Sequence, residues 1–271
     1  MHNLLRALQP GSVILDLGCD EGSFDPPHAG VLLVRVDLQF PGAMAGARVQ
    51  ANSASLPFQS RCFDLIVSNH SLEHFEDLAE SLQEIARVIK PNGALYIAVP
   101  DASTVTDNIY RWLARGGGHV NPFRSAPELA TLVEGATGLK LVAMRTLCTS
   151  LAFLNRRNQR TRAPRRLLLL GGGTEFSLLA LNYFFRIADR AFRTRLSVYG
   201  WALYFGSIDF EIDRETRTNV CVRCGSGHSS EWLRGQGAIH RWLLLQTYRC
   251  PDCGARNVFT EDRHYEHLLP G

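Results

Sequence analysis

Four short apolar runs, Val13–Leu17, Val31–Val36, Phe63–Ser68 and Ala94–Val99, constrain the fold of this 271-residue chain more than any other feature. Each has the length of a buried strand, and the first ends in a Gly-rich turn. Between the third and fourth, Leu78, Leu82, Ile85 and Ile89 share one helical face, and Lys90-Pro91-Asn92-Gly93 stops the helix. Strands alternating with helices predict a parallel sheet with crossover connections. A further helix opens at Ser125-Ala126-Pro127-Glu128, which reads as a capping box. It turns Leu129, Leu132, Val133 and Ala136 inward and closes at Gly138. Strands at Leu139–Leu147 and Val198–Phe205 follow. The expected fold is α/β, with a doubly wound, mostly parallel seven-stranded sheet.

The rhythm breaks between Asn155 and Leu196. That stretch opens with Arg156, Arg157, Arg160, Arg162, Arg165 and Arg166 and then turns helical. Leu178, Leu181, Phe185, Ala188 and Phe192 fall on one face; Asn182, Arg186, Asp189, Arg190 and Arg193 fall on another. Two readings are open for this insertion before the last strand. Its stripe packs on the sheet as a lid, or it lies on an anionic membrane with the arginines at the headgroups. Tyr110, Trp112, Tyr183, Phe184 and Phe185 are candidates for an apolar acceptor pocket. From Thr216 the composition shifts to Cys, Gly, His and Arg. The expected domains are residues 1–215 and a small module, 216–271.

A net charge of +3 is too small to imply a nucleic-acid partner. No apolar run has the length of a membrane span, and the start lacks a signal-peptide pattern. Seven cysteines, four of them in two CxxC pairs, suit a reducing compartment. The expected location is cytoplasmic, with peripheral membrane contact through the insertion open.

Asp16-Leu17-Gly18-Cys19-Asp20-Glu21-Gly22 sits where the first strand ends, and its glycines let a ligand approach the main chain. A dinucleotide fingerprint needs glycine at 18, 20 and 23, but this chain has Asp20 and Ser23. Pro26 and Pro27 disfavour the helix N-terminus that a pyrophosphate uses. Asp37, ending the second strand, is placed to accept hydrogen bonds from both ribose hydroxyls of an adenosyl group.

VILDLGCDEG, VRVDL, ANSASLPFQSRCFDLIVSNHSLEHF, EIARVIKPNGALYIAVP and GGGHVNPFRSAPEL together resemble the type 11 group of class I S-adenosylmethionine (SAM)-dependent methyltransferases, over about residues 10–150. The resemblance implies that Asp16, Gly18, Cys19, Asp20 and Gly22 surround the methionine part of SAM. Asp37 and Leu38 would meet the ribose and adenine edge, Asn52 and Ser53 the adenine, and Asn69 the methyl donor. Two positions depart from the family pattern: Asp20 replaces a glycine and Asn52 an acid.

The expected reaction is methyl transfer to a small-molecule, lipid or glycan acceptor. An RNA or protein methyltransferase, and a non-catalytic scaffold whose cofactor site Asp20 has spoiled, stay open. His119, His70 and His74 are the candidate catalytic bases.

Cys221-Val222-Arg223-Cys224-Gly225 and Cys250-Pro251-Asp252-Cys253-Gly254 form two matched knuckles. Four thiolates make a closed tetrahedral site, so the expected ion is a structural Zn²⁺ held by Cys221, Cys224, Cys250 and Cys253. Trp232, Trp242, Arg234, Arg241 and Arg249 leave a nucleic-acid or protein contact open for this zinc ribbon.

Overall fold

The computed structural model describes all residues except 2–3, 6, 21, 27, 41–45, 114–117, 157–171, 208–216, 238 and 261–271. Most of the six-arginine run therefore lies outside the described residues. The chain forms two compact units that interleave: residues 1–100, 118–144 and 201–212 make the first, and 101–117, 145–200 and 213–271 the second. The sequence had suggested a single cut after residue 215.

The first unit is built on β1 (Val13–Leu17), β2 (Leu32–Asp37), β3 (Ala47–Gln50), β4 (Phe63–Asn69) and β5 (Ile89–Pro100). Strands β6 (Leu141–Cys148) and β7 (Val198–Gly206) begin or end there. The order is β3-β2-β1-β4-β5-β7-β6. Strand β1 pairs parallel with both β2 and β4, so the order reverses beside it. Ligands of doubly wound sheets bind at such a reversal, beyond the carboxyl ends of the strands.

The core follows from the alternation of apolar runs and amphipathic helices. Helix α1 (Leu78–Val88) buries Leu82, Ile85 and Val88 on the sheet. It ends one residue before the expected face does, because Ile89 already belongs to β5. In the second unit, α2 (Val105–Leu113) follows β5. The first unit resumes with α3 (Ala126–Thr137), which begins as predicted: the Ser125 side chain accepts from the Glu128 amide, and Gly138 closes the helix at φ 73°. Together α3, β7 and the central strands enclose Leu95, Ile97, Leu129, Val133, Leu203 and Phe205.

The second unit holds α4 (Glu175–Phe192), β8 (Arg217–Val220), β9 (Gly227–His228), α5 (Ser230–Gly235) and a three-stranded antiparallel sheet, β10 (Ile239–Trp242), β11 (Leu245–Arg249) and β12 (Arg256–Phe259). Strand β8 extends the large sheet, parallel to the end of β6, and β9 pairs antiparallel with β8. The sheet thus has nine strands, the expected doubly wound, mostly parallel seven and then β8 and β9. Leu151, Leu154, Leu178, Phe185, Val222, Leu233, Tyr248 and Phe259 form a separate core with Cys221 and Cys250.

The helical insertion corrects one expectation. Asn182, Arg186 and Asp189, expected on a face away from the apolar stripe of α4, are buried. Arg186 donates to Thr149 O, Ser197 O and Thr260 Oγ1, while Asp189 accepts from Thr194 Oγ1 and the Leu196 and Ser197 amides. Phe192, expected on the apolar stripe, is 78% exposed. The aromatic residues expected to line one pocket go separate ways. Tyr110 stacks edge-on against Phe153, Tyr183 against Trp242, Trp112 and Phe184 are exposed, and Phe185 is buried.

Candidate active site and metal centre

The loop after β1 is shaped by what lies beneath it. Gly18 has φ 68°, and a Cβ there would stand 2.4 Å from Ser71 Cβ, so glycine is required on both counts. Ser71 holds its place by donating to Leu17 O at 2.8 Å and pairing with Ser68 Oγ at 2.7 Å. Asp20 also has positive φ, 47°, and its amide donates to Asp37 Oδ2 at 2.7 Å. The end of β2 is thereby bonded to the loop after β1. A Cβ on Gly22 would lie 3.0 Å from Arg35 Nε, which packs under the turn.

Asp16 is fully buried and lies directly across from Arg35 in the β1–β2 ladder. Its Oδ2 accepts from the Ser23 amide at 2.9 Å and faces Arg35 Nε at 3.8 Å, whereas Oδ1 is buried with no hydrogen-bond partner among the described residues. Burial pushes the Asp16 carboxyl up, and the Ser23 amide and Arg35 work against that rise. Burial, with the Asp16 and Asp37 charges adding, pushes the Cys19 thiol up to about 12, so it stays neutral. Leu38 is 61% exposed one residue beyond β2. Asn52 Oδ1 accepts from the Ala54 amide, Ser53 Oγ pairs with Ser81 Oγ, and Asn69 ends β4 half-buried.

The three candidate histidines stand together in the first unit. His74 lies in a short 3-10 turn, Leu72–His74, after β4. Its Nδ1 is 2.9 Å from Gly118 O, and its ring meets His119 edge-on at 4.8 Å. The 118–121 loop is stapled to this turn. Val120 and Asn121 amides donate to Glu73 O, and the Asn121 side chain donates to Leu72 O and Phe75 O. His70, at φ 56°, has Nδ1 3.9 Å from the buried Glu73 carboxylate. Burial, with smaller effects from His119 and His74, pushes His70 down to about 4. Burial also lowers His74, against the raising effect of its bond to Gly118.

Sequence reasoning missed Arg35, Ser71 and Glu73. An arginine inside the apolar run Leu33–Val36 was the available signal for the first.

In the second unit the four knuckle cysteines converge, with sulfurs within 4.8 Å of one another. Cys221 and Cys253 sulfurs are 3.5 Å apart, and Cys224 and Cys250 sulfurs 3.6 Å. Four ligands at about 2.3 Å on a tetrahedron around Zn²⁺ stand about 3.8 Å apart, so the donor set fits the ion. The knuckles match in backbone too: Gly225 and Gly254, at φ 73° and 74°, donate to Cys221 O and Cys250 O. The Arg223 amide and Asn257 Nδ2 point at Cys221 Sγ, and His228 Nε2 lies 3.7 Å from Cys250 Sγ. Such contacts support thiolates in an outer shell. The isolated Cys19 and Cys148 are buried and Cys62 partly so.

The fold and the loop after β1 have the form of a methyltransferase domain. Residues 1–144 match the family model described as a methyltransferase domain, and the chain belongs to that family. It is 27% identical over 148 residues to a ubiquinone biosynthesis O-methyltransferase from Rhodopseudomonas palustris, covering 46% of this chain and 57% of that one. It is 29% identical over 185 residues to a malonyl-[acyl-carrier protein] O-methyltransferase from Methylococcus capsulatus, covering 59% and 67%. The match thus spans little more than half of the first relative. A solved structure from Bacillus halodurans, described as a methyltransferase, superposes with a TM-score of 0.50 at 18% identity, over 76% of this chain and 96% of that one. It shares the fold.

Proposed function

We propose that this protein transfers the methyl group of SAM to an oxygen of a small acceptor. The observation that carries the reading is the Asp16–Asp37 site at the reversal of the sheet. There, an unpartnered buried carboxylate oxygen and a glycine cradle lie beside a carboxylate that ends β2. The cofactor supplies an electrophilic methyl on a sulfonium; transfer breaks that C–S bond and forms the O–CH₃ bond. Asp37 would accept from the ribose and Asp16 Oδ1 from the amino end of the methionine part, while Gly18 and Gly22 let the loop close down on Ser71 and Arg35. His74 donates its Nδ1–H to Gly118 O, which leaves Nε2 to take the acceptor's proton. His119 packs on that ring and orients it. Two relatives are named as O-methyltransferases, which supports an oxygen acceptor of quinone or acyl type.

The cysteine cluster would hold one structural Zn²⁺. Calorimetric titration with SAM and S-adenosylhomocysteine tests the cofactor reading. Absence of binding below millimolar would overturn it in favour of a scaffold. Transfer of labelled methyl to hydroxylated quinone precursors, reduced in His74→Asn, tests the acceptor reading; unchanged turnover in that variant would remove His74 as the base.

A further inference from the structure

Helix α4 carries apolar residues on both of its faces. Its buried face carries Asn182, Arg186 and Asp189 among the apolar residues, while its outward stripe is Phe176, Ala180, Phe184, Ile187 and Ala191, spaced four, four, three and four residues apart. Phe176 is 75% exposed and Phe184 62%.

Tyr183, beside this stripe, grips the β10–β11 hairpin: its hydroxyl accepts from the Leu244 amide at 2.9 Å and reaches Trp242 O at 3.3 Å. The hairpin turn is the two residues Leu243 and Leu244, because Trp242 pairs directly with Leu245. Leu243 has φ 55°, where such a turn prefers glycine, and both leucines are more than 70% exposed. An exposed apolar pair, with Leu243 held in a conformation unfavourable to leucine, points to a role outside the fold.

Charge identifies the occupant. The second unit contains 21 of the chain's 29 Lys and Arg residues and 11 of its 26 acids, a net charge of +10 against −7 for the first unit. Arg190 and Arg193 on α4 and Arg241 beside the turn are exposed.

We propose that this face of the second unit docks on an anionic membrane surface, with Leu243, Leu244, Phe176 and Phe184 entering the headgroup–acyl boundary and the neighbouring arginines meeting lipid phosphates. The occupant is lipid rather than RNA because the two residues at the tip, Leu243 and Leu244, are aliphatic and exposed. This surface differs from the one expected from sequence, since Leu178 and Phe185 are core residues and Arg186 is buried. It stands independently of the methyl-transfer reading.

Co-sedimentation of the full chain with phosphatidylcholine vesicles, with and without phosphatidylglycerol, tests it. Binding is expected only with phosphatidylglycerol and should fade with salt. Leu243→Gly/Leu244→Asn places a preferred residue in the turn, so folding should hold while partitioning falls by about tenfold or more. Phe176→Gln/Phe184→Gln should act alike, with melting temperature and zinc content unchanged in both. Any of three results overturns the proposal: no sedimentation of the unaltered chain at low salt, equal binding to phosphatidylcholine alone, or unaltered binding by both variants. Self-association that the turn variant abolishes, without vesicle binding, also overturns it and assigns the face to a protein contact. SAM binding measured on the same preparations separates failure here from failure of the catalytic reading.

Discussion

Asp20 stands where the sequence resemblance implies a glycine, and its φ of 47° shows the backbone conformation needed there. The need is for backbone in the left-handed region, which aspartate tolerates better than most residues. Its side chain is exposed, and its amide still reaches Asp37. The departure therefore leaves the loop intact. Asp37→Ala removes the carboxylate that ties this loop and that, on the proposed reading, would accept from the ribose. SAM affinity should fall by about 1.5–3 kcal/mol, checked by calorimetry. His70 gives a prediction in pH. Its folded value is about 4 against an ordinary 6.5, so between those values the unfolded chain binds a proton that the folded chain does not. Stability is fully present above about 6.5 and is lost as pH falls towards 4, by at most about 3 kcal/mol, less what solvent at the partly exposed ring removes. Melting temperatures across that window should drop less steeply in His70→Asn, since asparagine also suits φ 56°. An identical slope would remove His70 as the source. The motif positions Asp16, Gly18 and Asp37 were legible because each has a characteristic place at a strand end. Arg35 and Ser71 were not, because their roles come from β2 and β4 lying either side of β1.

At the scale of elements, periodicity placed the strands and α3 well, since capping and apolar spacing are local. Helix α4 was placed in sequence, but its orientation could not be read. Both of its faces carry apolar residues, and the partners that draw Arg186 and Asp189 inward, among them Thr149, Ser197 and Thr260, are as much as 74 residues away. Arg186→Met would remove the donor to Thr149 O and Thr260 Oγ1, while Ser197 O would keep the Thr149 amide. It should destabilise the second unit by about 2–4 kcal/mol, read as a lowered denaturant midpoint, because hydrogen bonds to a buried charge are each worth about 1.5–3 kcal/mol. A midpoint within error of the unaltered chain would show that the guanidinium is dispensable.

Across the whole molecule, the four cysteines are not an appendage. Cys221 and Cys250 belong to the same core as Leu154, Leu178 and Phe185, so on the proposed reading a zinc ion held there would stabilise α4 together with the knuckles. One zinc per chain is expected by elemental analysis, and Cys250→Ser should lose it. Hydrogen exchange should then quicken through α4 and β10–β12 while β1, β2 and β4 stay protected. Protection lost only after residue 216 would mean that the module folds by itself. The interleaving of the two units also sets a timetable for synthesis. A nascent chain that has delivered β1 to β6 still lacks β7, which lies between β5 and β6 in the finished sheet. Until residue 206 leaves the ribosome, β5 and β6 keep open edges where β7 belongs, so the emerging chain is exposed to mispairing and to chaperone capture for the whole time that residues 149–197 are being made.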